Sequence, residues 1–144
     1  MFTREEEIRR IGEGFLARTL PKAEWSHAAH FAATLWLMRH QPGRDLPREM
    51  PGLIRAYNEA TGGVNSDTEG YHETITQASL RAARAELARH GAQVPLHQIV
   101  NALMASPLGR PGWLLDYWSK DLLMSAAARR EWRAPDLKPL PFWG

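Results

Sequence analysis

The stretch EWSHAAHFAATLWLM, residues 24–38, decides the fold class. Ser26 is suited to cap a helix, and at 100° per residue His27, His30, Phe31, Thr34, Leu35 and Met38 fall on one stripe. The helix predicted here runs to about His40, where QPGRDLP (residues 41–47) ends it with proline and glycine. Two histidines stand on the apolar stripe in the first turns. An apolar helix has no packing reason to keep two imidazoles three residues apart.

Outward from that helix, the chain reads as helices throughout. Upstream, Thr3 with Glu6 resembles a capping box before Ile8, Ile11, Phe15 and Leu16, and Pro21 ends that first helix. Downstream, a third helix is predicted from about Pro47 to Ala60, then the polar loop TGGVNSDTEG (residues 61–70). A fourth runs from Asp67 or Thr68 to His90, with Gly91 as its stop. Pro95 opens a fifth over LHQIVNALMAS (residues 96–106). One or two short helices and a Pro-rich tail, about residues 134–144, complete the chain. No segment alternates apolar and polar residues with β-branched enrichment, and no repeat is visible. The expected fold is all-α: one domain over residues 1–144, a four-helix core with additional C-terminal helices.

The motif GYHETIT, residues 70–76, sends His72 to the inward face of the fourth helix together with Ile75, Thr76, Ser79 and Leu80. Short connections favour antiparallel neighbours, so the second and fourth helices should run parallel, with the third returning between them. His27, His30 and His72 then converge, the pattern of a three-imidazole centre for zinc, nickel or iron with an open position for water or substrate. Glu73 beside them is the candidate general base or orienting carboxylate. Tyr57, Glu59 and Tyr71 are the candidate ligand-binding residues, Glu59 only if the third helix ends before it. The loop 61–70 is expected to form a rim or lid over the site, so that trimming it should alter binding.

Metal-dependent hydrolysis is one function these residues allow. The other is non-catalytic: a small-molecule or anion site, or an interaction protein, whose inward histidines form a structural polar cluster with neighbouring hydroxyls. Helix N-termini carry partial positive charge, which favours an anion over a cation there.

Composition narrows the classes further. With 44% hydrophobic residues and six tryptophans, 144 residues suffice for one core. No cysteine is present, so any metal would be held by His, Asp or Glu. Eighteen basic against 16 acidic side chains give a net charge of only +2, which does not point to nucleic acid. No signal-peptide pattern opens the sequence, and the longest apolar run, FAATLWLM (residues 31–38), is too short to span a bilayer. The expectation is a cytoplasmic protein acting on a small molecule, without membrane or nucleic-acid partner, a homodimer being possible.

The segments WSHAAHFAATLWLM, YNEATG, NSDTEGYHETIT and YWSKDLLMSAAARREWRAPDLKPLP resemble a family of small bacterial helical proteins of about this length whose function is uncharacterised. The resemblance spans residues 25–141 and centres on the patterns W-[ST]-H-x-[AS]-H and G-Y-H-E-T-I-T, here Trp25, His27, His30 and residues 70–76. It implies a compact helical protein and assigns no residue a role.

Overall fold

The computed structural model describes residues 1–142; the last two residues of the Pro-rich tail expected over 134–144 lie outside the described residues. The described residues form seven α-helices: α1 Glu5–Ala17, α2 His27–His40, α3 Leu46–Ala60, α4 Glu73–Ala88, α5 Leu96–Ala105, α6 Lys120–Leu123 and α7 Ala126–Arg130. Short 3-10 turns lie at Lys22–Glu24, Pro107–Gly109 and Trp113–Asp116, and no strand occurs among the described residues. None of the helices is long and apolar enough to cross a membrane.

α2 is the central element. Its buried residues, Ala29, Phe31, Ala32, Ala33, Leu35, Trp36 and Leu37, point in every direction, as a helix enclosed on most sides requires. It packs against α1, α4 and α5. Gly12 of α1 makes the first of these approaches close, because a Cβ there would lie 2.5 Å from the Trp36 ring. The expectation that the third helix returns between the second and fourth does not hold: α2 and α4 are in direct contact, while α3 packs on α4 and α1. Both helices carry buried alanines, Ala29, Ala32 and Ala33 on α2 and Ala78, Ala82 and Ala83 on α4, whose small side chains suit close helix packing.

Capping follows local chemistry with two departures. Ser26 caps α2, its Oγ accepting from the Ala29 amide at 3.1 Å. The N-terminal box sits one residue later than Thr3 and Glu6: Arg4 is the cap, and Glu7 Oε1 accepts from the amides of Thr3 and Arg4 at 2.8 and 3.0 Å. α5 has no capping side chain of its own, since its cap position is Pro95. Glu5 of α1 supplies one across space, accepting from the amides of Leu96 (2.8 Å) and His97 (2.9 Å). A carboxylate at a helix N-terminus is electrostatically favoured, and these bonds hold the Glu5 carboxyl below its ordinary range against the opposing effect of burial.

The C-terminal third wraps back over α4. Thr74, fully buried, donates its hydroxyl to the Ala128 carbonyl at 2.7 Å and accepts from the Arg133 amide at 3.1 Å. Trp118 donates its indole N–H to the Arg133 carbonyl at 2.8 Å, and Asp136 accepts from both the amide and the hydroxyl of Ser119 at 2.7 Å. This irregular segment therefore has specific anchors despite its proline content.

Candidate functional site

His27, His30 and His72 line one cavity of about 250 Å³ between the N-terminal halves of α2 and α4. Phe15, Trp25, Phe31, Met50, Ile54, Ile75, Leu80, Trp113 and Leu114 form its apolar wall. Thr34, Asn58, Tyr71, Thr76 and Ser79 add polar groups. α3 contributes from the flank, and the 3-10 turn at Trp113–Asp116 closes the far side.

The three imidazoles are not equivalent. His72 is the N-cap of α4: its Nδ1 accepts from the Ile75 amide at 3.2 Å, and its Nε2–H donates to the Leu123 carbonyl at 2.7 Å. Both nitrogens are committed, and only the neutral Nε2–H tautomer satisfies both bonds. Burial accordingly lowers the His72 pKa from its ordinary value. No lone pair is left over for a metal. His27 donates Nε2–H to the Leu108 carbonyl at 2.8 Å, which in the neutral ring leaves the Nδ1 lone pair available.

His30 has no hydrogen-bond partner for either ring nitrogen among the described residues. It lies against Trp25, ring centroids 4.1 Å apart, and Trp25 stacks on Phe15 at 4.8 Å with the planes 6° apart. The His30 surface is accessible, yet packed protein surrounds the ring, so what it faces is the cavity. Desolvation, with a smaller effect of neighbouring His27, lowers its pKa to about 4.

That depression has a defined sign. Below pH 6.5 the unfolded chain binds a proton at His30 and the folded chain does not, so the stabilisation present above 6.5 is lost as the pH falls toward 4. At about 1.4 kcal/mol per pH unit, and discounted for water in the cavity, the loss is roughly 1–2 kcal/mol. Chemical denaturation between pH 7 and 4 is expected to show a steeper fall for the wild type than for His30→Gln. Parallel curves would show that His30 does not take up its proton below the ordinary range in the folded protein.

The remaining candidates divide. Tyr71 lines the cavity, but its hydroxyl donates to Glu73, whose second oxygen accepts from Gln77 at 3.3 Å. Burial, reinforced by Glu73, pushes the Tyr71 hydroxyl pKa upward. Glu73 thus holds Tyr71 and does not line the cavity. Tyr57 is buried behind the wall, its hydroxyl donating to the Leu20 carbonyl at 2.7 Å and its ring 4.9 Å from Trp25. Glu59 is exposed and accepts from Asn65 at 3.1 Å, because α3 continues through it to Ala60. Among the described residues no group of three or more His, Asp or Glu is disposed to hold a metal ion.

The rim is the loop 61–70. Asn65 organises it: Oδ1 accepts from Asn58 Nδ2 and the Tyr71 amide, both at 3.0 Å, and Nδ2 donates to the Arg55 carbonyl at 3.2 Å. α7 fastens it from outside, through an ion pair of Arg130 with Asp67 and a 3.0 Å bond from Arg129 to the Gly70 carbonyl.

Met50, Ile54, Trp113 and Leu114 line the cavity although sequence spacing did not assign them to the site. Ser79 lines it too, from the inward helix face on which the sequence places it with His72. Trp113 arrives through an irregular segment whose path no periodicity records. Compared with protein-family models, with curated proteins and with solved structures, the chain finds no significant match.

Proposed function

We propose that the protein binds a small neutral organic molecule in this cavity. The observation that carries the reading is that no Asp, Glu, Lys or Arg is among the lining residues, while their histidines favour the neutral state at His30 and His72. An ion entering such a space would lose its hydration without gaining a counter-charge. Ser26 and His72 each already accept from one first-turn amide, Ala29 of α2 and Ile75 of α4, which weakens both helix N-termini as anion sites.

Size and lining agree with this class. A cavity of roughly 150 Å³ accommodates benzene, so about 250 Å³ suits a molecule of roughly ten to fifteen heavy atoms. Apolar and aromatic walls with a few polar groups are the common composition of small-molecule sites. A three-histidine hydrolytic metal centre is disfavoured by the two committed nitrogens of His72.

Amide chemical shifts of ¹⁵N-labelled protein, titrated separately with indole, inorganic phosphate and zinc, test the reading. Indole is expected to shift Trp25, His30, Thr34, Ser79 and Trp113, and Ser79→Leu should abolish the effect by filling the space. Phosphate and zinc should leave these signals unmoved. Stoichiometric zinc or phosphate binding in the cavity, with no response to indole, would overturn it.

A further inference from the structure

A groove of about 630 Å³ lies between Arg81 of α4 and the irregular C-terminal segment, lined by Trp132 and by every residue from 134 to 140. It has more than twice the volume of the histidine cavity and opens along an extended stretch of chain. The wall is fixed in place. Beyond the bonds of Trp118 and Ser119 to it, the Leu137 amide donates to the Tyr117 carbonyl at 2.9 Å, and Pro135 and Pro139 fix their own φ. A partner docking here meets a surface that folding has already ordered, which lowers the entropic cost of binding.

Two cations stand in this lining without a carboxylate. The Arg81 guanidinium lies 4.2 Å over the Trp132 ring and the Lys138 ammonium 5.1 Å from the Tyr117 ring centroid, and neither makes an ion pair among the described residues. Stacking occupies the flat face of a guanidinium and leaves its edge N–H groups, the ones that pair with a carboxylate. Asp136, the acid in the lining, commits one oxygen to the Ser119 amide and the other to the Ser119 hydroxyl, so it does not neutralise either cation at close range. Beside these charges lies apolar surface: Leu137 is 57% exposed, and Trp132 and the two prolines flank it. We infer that the groove docks an acidic peptide segment of a partner protein, whose carboxylates meet Arg81 and Lys138 while an apolar side chain rests on Leu137 and the prolines. Nucleic acid matches the groove less well. Arg81 covers one face of Trp132 and Trp118 packs against the same ring at 5.7 Å, which removes the platform on which a base would stack.

Titration of the ¹⁵N-labelled full chain with four probes tests the inference: a blocked hexapeptide with a leucine pair between glutamate pairs, its counterparts with glutamine or lysine in place of glutamate, and a short oligothymidylate. The acidic peptide is expected to shift the Trp132 indole, Arg81 Nε–H and Leu137 signals and to bind about tenfold or more tightly than the glutamine peptide, with an affinity that falls as salt is added. Thr34 and Ser79 should not move, which keeps the groove distinct from the cavity. Lys138→Gln, at an exposed position where folding is not at stake, should weaken the acidic peptide about threefold or more and leave the glutamine peptide unchanged. Arg81→Gln should do the same, with circular dichroism as the check that it is folded. Equal binding of the acidic and glutamine peptides, or full affinity in Lys138→Gln, refutes the charge recognition. Tighter binding of the lysine peptide or of oligothymidylate refutes the acidic partner, and groove signals unmoved by every probe refute a docking site.

Discussion

His72→Ala is expected to lower the stability of the protein by about 2–4 kcal/mol, a fall in Tm of roughly 5–15 °C for a chain of this size. Two losses combine. The Ile75 amide at the first turn of α4 loses its cap, worth about 1 kcal/mol. The carbonyl of Leu123, itself 2% exposed, loses its donor, and an unsatisfied buried group costs about 1–3 kcal/mol. Asparagine restores the first and not the second, so His72→Asn should recover about 1 kcal/mol of the loss. A residue acting only as a metal ligand would behave otherwise: its removal would leave the metal-free protein's stability nearly unchanged. Urea unfolding of wild type, wild type with chelator and both variants makes the comparison, and a loss under about 0.5 kcal/mol for His72→Ala would contradict the capping role.

Gly70→Ala is the second large effect, again about 2–4 kcal/mol, and it reaches the site through the rim. Gly70 has φ +82°, where an L side chain is strained by about 1–2 kcal/mol. Its added Cβ would also overlap the Val64 carbonyl oxygen and lie 2.7 Å from Asn65 Oδ1. Relief of that overlap moves Asn65, which holds Asn58 and Tyr71, so loop and lining shift together. Gly62 supplies the control, with φ +87° and nothing near its would-be Cβ. Gly62→Ala should show the strain alone, about 1 kcal/mol, with no change at the cavity. Equal destabilisation by the two substitutions, measured by thermal unfolding, would remove the special role given to Gly70.

The contrast between these residues shows where sequence reading succeeds. α2 was legible because Ser26, an unbroken helical pattern and the QPG stop agree, and α5 because Pro95 marks its start. All three histidines line one cavity, although the third helix does not run between their two helices as the sequence leads one to expect. The start of α4 was misplaced by five or six residues. Asp67 and Thr68 are good capping residues by type, but Gly70 adopts a conformation that no helix continues, and histidine, an unusual cap, takes the position. The same fact hid the role of His72, since a ligand and a cap occupy the same turn of the same face. Its second partner, the Leu123 carbonyl, lies 51 residues away on a segment without periodicity. Glu73 was misread for a related reason: its neighbour Tyr71 absorbs one oxygen and Gln77 the other, which adjacency in sequence does not reveal.

Electrical neutrality of the cavity is the feature on which ligand class depends, and the histidine rings report it directly. Long-range ¹H–¹⁵N spectra of the imidazoles, recorded from pH 8 to 3.5, give the charge and tautomer of each ring. His30 is expected to stay neutral until about pH 4, and His72 to remain the Nε2–H tautomer as long as the protein is folded. A His30 ring that takes its proton near pH 6.5, at the value of a solvated imidazole, would contradict the neutral cavity and the ligand assigned to it.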